Sequence, residues 1–140
     1  MNDVEPLGHV RYVGAMDAST TPVAVIFVAP CRCRVTGIGL VDSTTKAGHG
    51  TNYGTYAVTN RGAAGTGTTA VASRTTITPT TDDITAYVYW PLTLSTTKAN
   101  LDLAAGDVLL VTATEAGAAA SGDLVLANWI VKYVPGYSSV

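Results

Sequence analysis

Charge is what this chain has least of. Of its 140 residues, eight are Lys or Arg and ten are Asp or Glu. That is 13% charged, against roughly 25% in an ordinary soluble domain. The formal net charge of −2 excludes a general attraction to nucleic acid or to an anionic membrane. Histidine is scarce as well. His9 and His49 lie in separate segments, too few for a clustered imidazole metal site. Cys31 and Cys33 are too few for a disulfide framework, and one intervening residue is not the spacing of a zinc-binding pair. On a strand both would point to one face, where a bridge between them is disfavoured, so they read as small, partly buried thiols. The glutamates are Glu5 and Glu115, and Asp82, Asp83, Asp107 and Asp123 fall at turns or strand starts. There a carboxylate serves the turn by accepting nearby backbone N–H groups, which leaves little for a paired-carboxylate hydrolase.

Long apolar runs are missing too. No stretch approaches the ~18 apolar residues of a membrane-spanning helix. The start, Met1 to Pro6, has neither a basic cluster nor an apolar run, and no Asn-x-Ser/Thr acceptor occurs. The expectation is synthesis in a cytoplasm without export by the usual route. No Gly-x-Ser-x-Gly elbow is present, and His49 in Gly48-His49-Gly50 reads as a solvated loop residue. Gly62-Ala63-Ala64-Gly65-Thr66-Gly67 lacks the Lys-Ser/Thr ending and the following helix of a phosphate loop, and reads as flexible chain. No cofactor is expected, and the chain reads as a non-enzyme.

What remains is strand material. Hydrophobic residues make up 47% of the chain, threonine is the commonest residue, and turn residues recur between short apolar runs. Residues 1–21 read as an N-terminal arm with one short strand candidate, Gly8–Val13. Residues 22–140 read as one sandwich domain. Its strand candidates begin with Val23–Val28, apolar on both faces, and Cys33–Val41, where Gly37 and Gly39 share a face and suggest a bulge or a close backbone approach. Tyr53–Thr59 follows. Residues 60–83 read as the loosest part, with one possible strand at Val71–Ile77. Residues 84–94 read as one strand with Ile84, Ala86, Val88, Trp90, Leu92 and Leu94 facing the core, and Pro91 marking an edge or bulge. Val108–Thr114 and Leu124–Val134 complete the set. About eight short strands with short connections predict an all-β, antiparallel two-sheet sandwich of jelly-roll type.

The last strand carries the strongest sign of assembly. Val125, Ala127, Trp129, Val131 and Tyr133 form a core face. The opposite face, with Leu124, Leu126, Asn128, Ile130 and Lys132, is half aliphatic. A strand apolar on both faces is covered on both faces, either by a long loop or by another subunit. Leu124, Leu126 and Ile130 are therefore candidate interface residues. Tyr87 and Tyr89, a same-face aromatic pair, are candidates for protein contact, for stacking on sugar, or for local packing. Arg32 and Arg34 share a face and can pair with acidic groups on a partner.

The arm, the Thr/Ala/Gly-rich loops, the stretch Gly54–Gly62 and the closing pattern Leu101-Asp102-Leu103-Ala104-Ala105-Gly106-Asp107-Val108-Leu109-Leu110-Val111 together resemble the jelly-roll head decoration (cement) proteins of tailed bacteriophages. The likeness spans most of residues 22–134. A similar leucine, Gly-Asp and apolar-strand pattern occurs in trimeric tumour-necrosis-factor-like and C1q-like domains. The resemblance implies a homotrimer on the outer surface of a virion head, bridging subunits of the major capsid protein without direct contact to nucleic acid or membrane. Val4, Leu7, Arg32 and Arg34 would then be capsid contacts. The rivals are a receptor- or glycan-binding module, of the kind found in fibre tips and lectins, and a hydrolase on the same scaffold.

Overall fold

A computed structural model describes residues 7–12, 23–117 and 127–136, the first of these segments as backbone. Among the described residues, ten strands form two antiparallel sheets packed face to face, a β-sandwich. They are β1 (Leu7–Tyr12), β2 (Val23–Val28), β3 (Cys33–Val41), β4 (Gly54–Asn60), β5 (Thr69–Thr75), β6 (Trp90–Pro91), β7 (Thr93–Leu94), β8 (Asp102–Leu103), β9 (Val108–Glu115) and β10 (Asn128–Pro135). Sheet A runs β1-β10-β3-β6, with β8 also paired to β3, and sheet B runs β2-β9-β4-β5-β7. The pairing is nested: β1 with β10, β2 with β9, β3 with β8, β4 with β5. Within the segment read as an arm, Leu7–Tyr12 is thus an edge strand of sheet A, aligned with β10 from Tyr133 to Asn128.

Bulges set which residues enter the core. In β3 the partners of Lys132 and Tyr133 are Gly37 and Val35, so Thr36 is an extra residue. The inward parity accordingly changes from Cys33 and Val35 to Ile38 and Leu40, all buried. The same device in β2 and β5 places Ile26 beside Phe27, and Val71 beside Ala72, in the core. At the centre three aromatic rings join the sheets. Tyr56 of β4 meets Trp90 of β6 edge-on at 5.7 Å and Trp129 of β10 at 6.5 Å. Ala127, Trp129, Val131 and Tyr133 are buried, as the alternation of the last strand predicts. Leu124, Val125 and Leu126 lie outside the described residues.

Residues 84–94 are not one strand. Ile84 forms an isolated bridge with Lys46. The chain then turns, with Val88 N donating to Thr85 O at 3.1 Å and Tyr87 N to Asp42 O at 2.7 Å. Tyr87 adopts φ +62°, which breaks the alternation outright. Trp90–Pro91 then edges sheet A and Thr93–Leu94 edges sheet B, so the chain crosses the sandwich at Leu92. Of the six residues expected in the core, Ile84, Trp90 and Leu92 are buried, whereas Val88 is 53% exposed and Ala86 and Leu94 are half-buried. Pro91 does occupy an edge, where its missing N–H costs nothing.

Residues 60–83 are also more built than their composition suggests. Gly62 and Gly65 hold positive φ, Asn60 Oδ1 accepts Gly62 N at 2.8 Å, and Gly67 N donates to Arg61 O at 2.7 Å. The run read as flexible chain is a hydrogen-bonded turn. It leads into β5, which starts two residues earlier than the strand expected at Val71.

One cross-strand ion pair fastens β8 to β3. Arg34 donates from Nε to Asp102 Oδ1 at 2.5 Å and from Nη2 to Oδ2 at 2.7 Å, from directly opposed positions. The Arg34 hydrogen bond holds the Asp102 carboxyl below its usual range. Partial burial opposes this, and the charges of Arg34 and Arg32 reinforce it. A carboxyl with a depressed folded-state pKa stabilises the fold above its unfolded value of about 3.9 and loses that contribution as pH falls through the lower folded value. Asp102→Asn is therefore expected to cost about 1 kcal/mol at pH 7. The gap between the urea midpoints of the two proteins should narrow progressively as pH falls below about 3.9, because proton uptake then favours the unfolded chain. An equal gap at pH 7 and pH 2.5 would refute the assignment.

Candidate functional site

Of the aspartates expected at turns, Asp82, Asp83 and Asp107 are turn builders, and Asp123 lies outside the described residues. Asp83 Oδ1 accepts Gly48 N at 2.6 Å and Thr80 N at 3.0 Å. Asp82 accepts Thr78 N at 3.1 Å and Arg74 Nη2 at 3.3 Å, and Asp107 accepts Ala104 N at 3.0 Å and Asn60 Nδ2 at 2.9 Å. Each is occupied by local architecture. His49 is exposed, and its Nδ1 accepts the backbone N–H groups of Thr51 (3.2 Å) and Asn52 (3.0 Å). Cys33 is buried, and burial, then the neighbouring Cys31 and Asp107, pushes its thiol up to about 11. It is a thiol, not a nucleophilic thiolate, at neutral pH. No group of three metal-ligating side chains occurs among the described residues.

The two outer faces of the sandwich differ in chemistry. Sheet A carries charge. Arg34 and Asp102 are paired there, and Lys132 Nζ lies 4.7 Å above the Tyr89 ring. Tyr89 itself lies on the backbone at Gly39, where an added Cβ would stand 2.7 Å from the Trp90 carbonyl and closer still to the ring. The close approach expected at the two glycines is this ring. Tyr89 and Lys132 thus cover part of the outer side of β10 from within the chain. Ile130, in register with Val10 and Gly39, is half-buried there. Tyr87 departs from Tyr89 altogether: it is 79% exposed at the tip of the 85–88 turn, beside Val88. Arg34 spends its guanidinium on Asp102, and Arg32 lies outside β3, with its carbonyl accepting Gly136 N at 2.7 Å. Val4 lies outside the described residues, and Leu7 opens β1.

Three ladder rows on the outer face of sheet B hold no charge. They read Val25–Leu110–Thr59–Ala70, then Val23–Thr112–Ala57–Ser73–Thr93, then Thr114–Thr55–Thr75. None of these positions holds an ionisable side chain. The β2 edge is apolar, with Val23 54%, Val25 36% and Val28 50% exposed. Toward the other edge, the small side chains of Ala57, Ala70 and Ser73 leave a shallow depression of about 430 Å³, walled by Thr59, Thr93 and Ser95. Sequence reasoning placed the interface on β10 and passed over this face. The signal was present in the alternation Thr55-Ala57-Thr59, but assigning it required knowing that β2, β9, β4 and β5 are neighbours. Arg74 was missed as well. From an inward position opposite Tyr56 it stacks 4.4 Å over Trp90 and donates to Pro91 O at 2.9 Å, closing one end of the core.

Comparison with known proteins finds no matching family model, no matching curated protein and no matching solved structure.

Proposed function

We propose that the chain is a virion structural protein, a decoration protein that stabilises a capsid by bridging neighbouring shell subunits as a homotrimer. The observation that carries this reading is the three charge-free ladder rows on the outer face of sheet B, set against the ion pair and the Lys132–Tyr89 contact on sheet A. A surface of valine, alanine and threonine with no ionic group gains by being buried against protein. The nested strand pairing supports reading the sandwich as a jelly roll. The work is mechanical: each copy adds buried contact between shell subunits, and the shell resists internal pressure better for it. The major capsid protein is the partner, and the outer surface of the head is the location.

The test is co-sedimentation of the purified protein with heads of the phage that encodes it. Saturable binding, with a higher temperature of head disruption in its presence, is the expected result. Absence of binding to intact heads overturns the reading. Exposed Tyr87 and Val88 at a loop tip favour one alternative, a receptor- or glycan-binding module in which the Tyr87 ring stacks on a sugar. Binding to a glycan array that is lost in Tyr87→Ala, with no binding to heads, would select it.

A further inference from the structure

We infer that the outer face of sheet B is the surface by which this chain binds a second copy of itself. The inference rests on the reading of the protein as a self-assembling structural component and names the surface that reading leaves open. It differs from the β10 face that the sequence suggested.

Three features select a second copy over another partner. The first is charge. A charged face repels its own copy, whereas a face with no ionic group carries no such penalty and strands no ion of the partner without a counter-charge. The three ladder rows meet that condition, the middle one across all five strands. The second is shape. The exposed side chains Val23, Val25 and Val28 lie at the β2 edge, and the depression at Ala57, Ala70 and Ser73 lies toward the opposite edge of the same face. Exposed edge and hollow belong to one chain, so a copy supplies the complement of each. A two-fold axis along the strands, or a ring of three, brings the valine edge of one copy over the hollow of another. The third is area. Five strands about 4.8 Å apart, roughly six residues long at ~3.3 Å each, give a footprint on the order of 500 Å². Two such faces bury about 1,000 Å², the level at which specific association begins. A protein that waited as a monomer for its shell would expose this face to water throughout; an oligomer formed at synthesis does not.

The experiment is light scattering after gel filtration on the full chain, with circular dichroism to confirm the fold. Wild type is expected as an oligomer of the 14.4 kDa chain, about 29 kDa for a two-fold pair or about 43 kDa for a ring of three. Val25→Asp on β2 and Ser73→Arg on β5, two independent strands, are each expected to shift the mass to 14.4 kDa with an unchanged β spectrum. Thr36→Asp, exposed on β3 of the other sheet, is expected to leave it unchanged. If both sheet B variants fold and keep the wild-type mass, the inference is overturned and self-assembly runs through another surface. Loss of mass in Ile130→Asp alone would place that surface on sheet A. A wild-type monomer at every concentration also overturns the inference, while head co-sedimentation still decides the proposed function. If the sheet B variants then fail to bind heads, the face belongs to the shell contact.

Discussion

Trp129→Ala is expected to destabilise the protein by about 3–5 kcal/mol, the range for removing a large buried aromatic. Trp129 is fully buried near the start of β10, with Leu40 of β3 opposite in register, and its ring meets Tyr56 of the other sheet edge-on. Truncation to Ala removes the contact that joins β10 to β4 and opens a cavity that two stiff sheets cannot close. A domain of this size has about 5–15 kcal/mol in total, so the variant should unfold at a much lower urea concentration. The melting temperature is expected to fall by roughly 10–15 °C. Trp129→Phe is the informative companion. It keeps a ring between the sheets and removes an indole N–H that meets no acceptor among the described residues. Its cost should therefore be less than half that of the alanine variant. Equal urea midpoints for wild type and Trp129→Ala would show that the three-ring contact does not hold the sheets together.

Gly39→Val is expected to cost at least about 3 kcal/mol, at or beyond the top of the overpacking range. The first added carbon at Gly39 runs into the Tyr89 ring and stands 2.7 Å from the Trp90 carbonyl. The ring can swing away, but the carbonyl belongs to the backbone of the edge strand paired with Leu40. The substitution should therefore release Tyr89 from sheet A and pull β6 from β3. Red-shifted tryptophan emission is the expected sign, because Trp90 loses its seat against Tyr56 and Arg74. Tyr89→Ala in the same background relieves the ring clash alone, so it should recover part of the lost stability and no more. Full recovery would mean that the carbonyl contact is unimportant; no recovery would mean that the ring never obstructed.

These two sites mark where local pattern was enough to read and where it was not. The all-β class, the absence of helical rhythm, the span of β2 and β3, and the inward set Ala127, Trp129, Val131 and Tyr133 were legible because alternation and turn residues act within a few positions. The Asp residues at turns were legible for the same reason, since each of Asp82, Asp83 and Asp107 accepts a backbone N–H three or four residues away. Residues 84–94 were misread because the event that interrupts the alternation is a contact with Asp42, some forty residues away. Nothing in Tyr87 announces a positive φ.

The charge-free face shows the same division. Composition alone established that this chain has too few charges to cover an ordinary surface, because that is a matter of counting. Where the uncharged residues gather depends on which strands lie side by side. The nested pairing sets Val25, Leu110, Thr59 and Ala70 in one row from four separate stretches of chain. The last strand's second apolar side pointed to assembly, but Tyr89 crosses to the outer side of sheet A and covers part of it. Long-range pairing decided which apolar residues the molecule covers for itself and which it leaves to another surface.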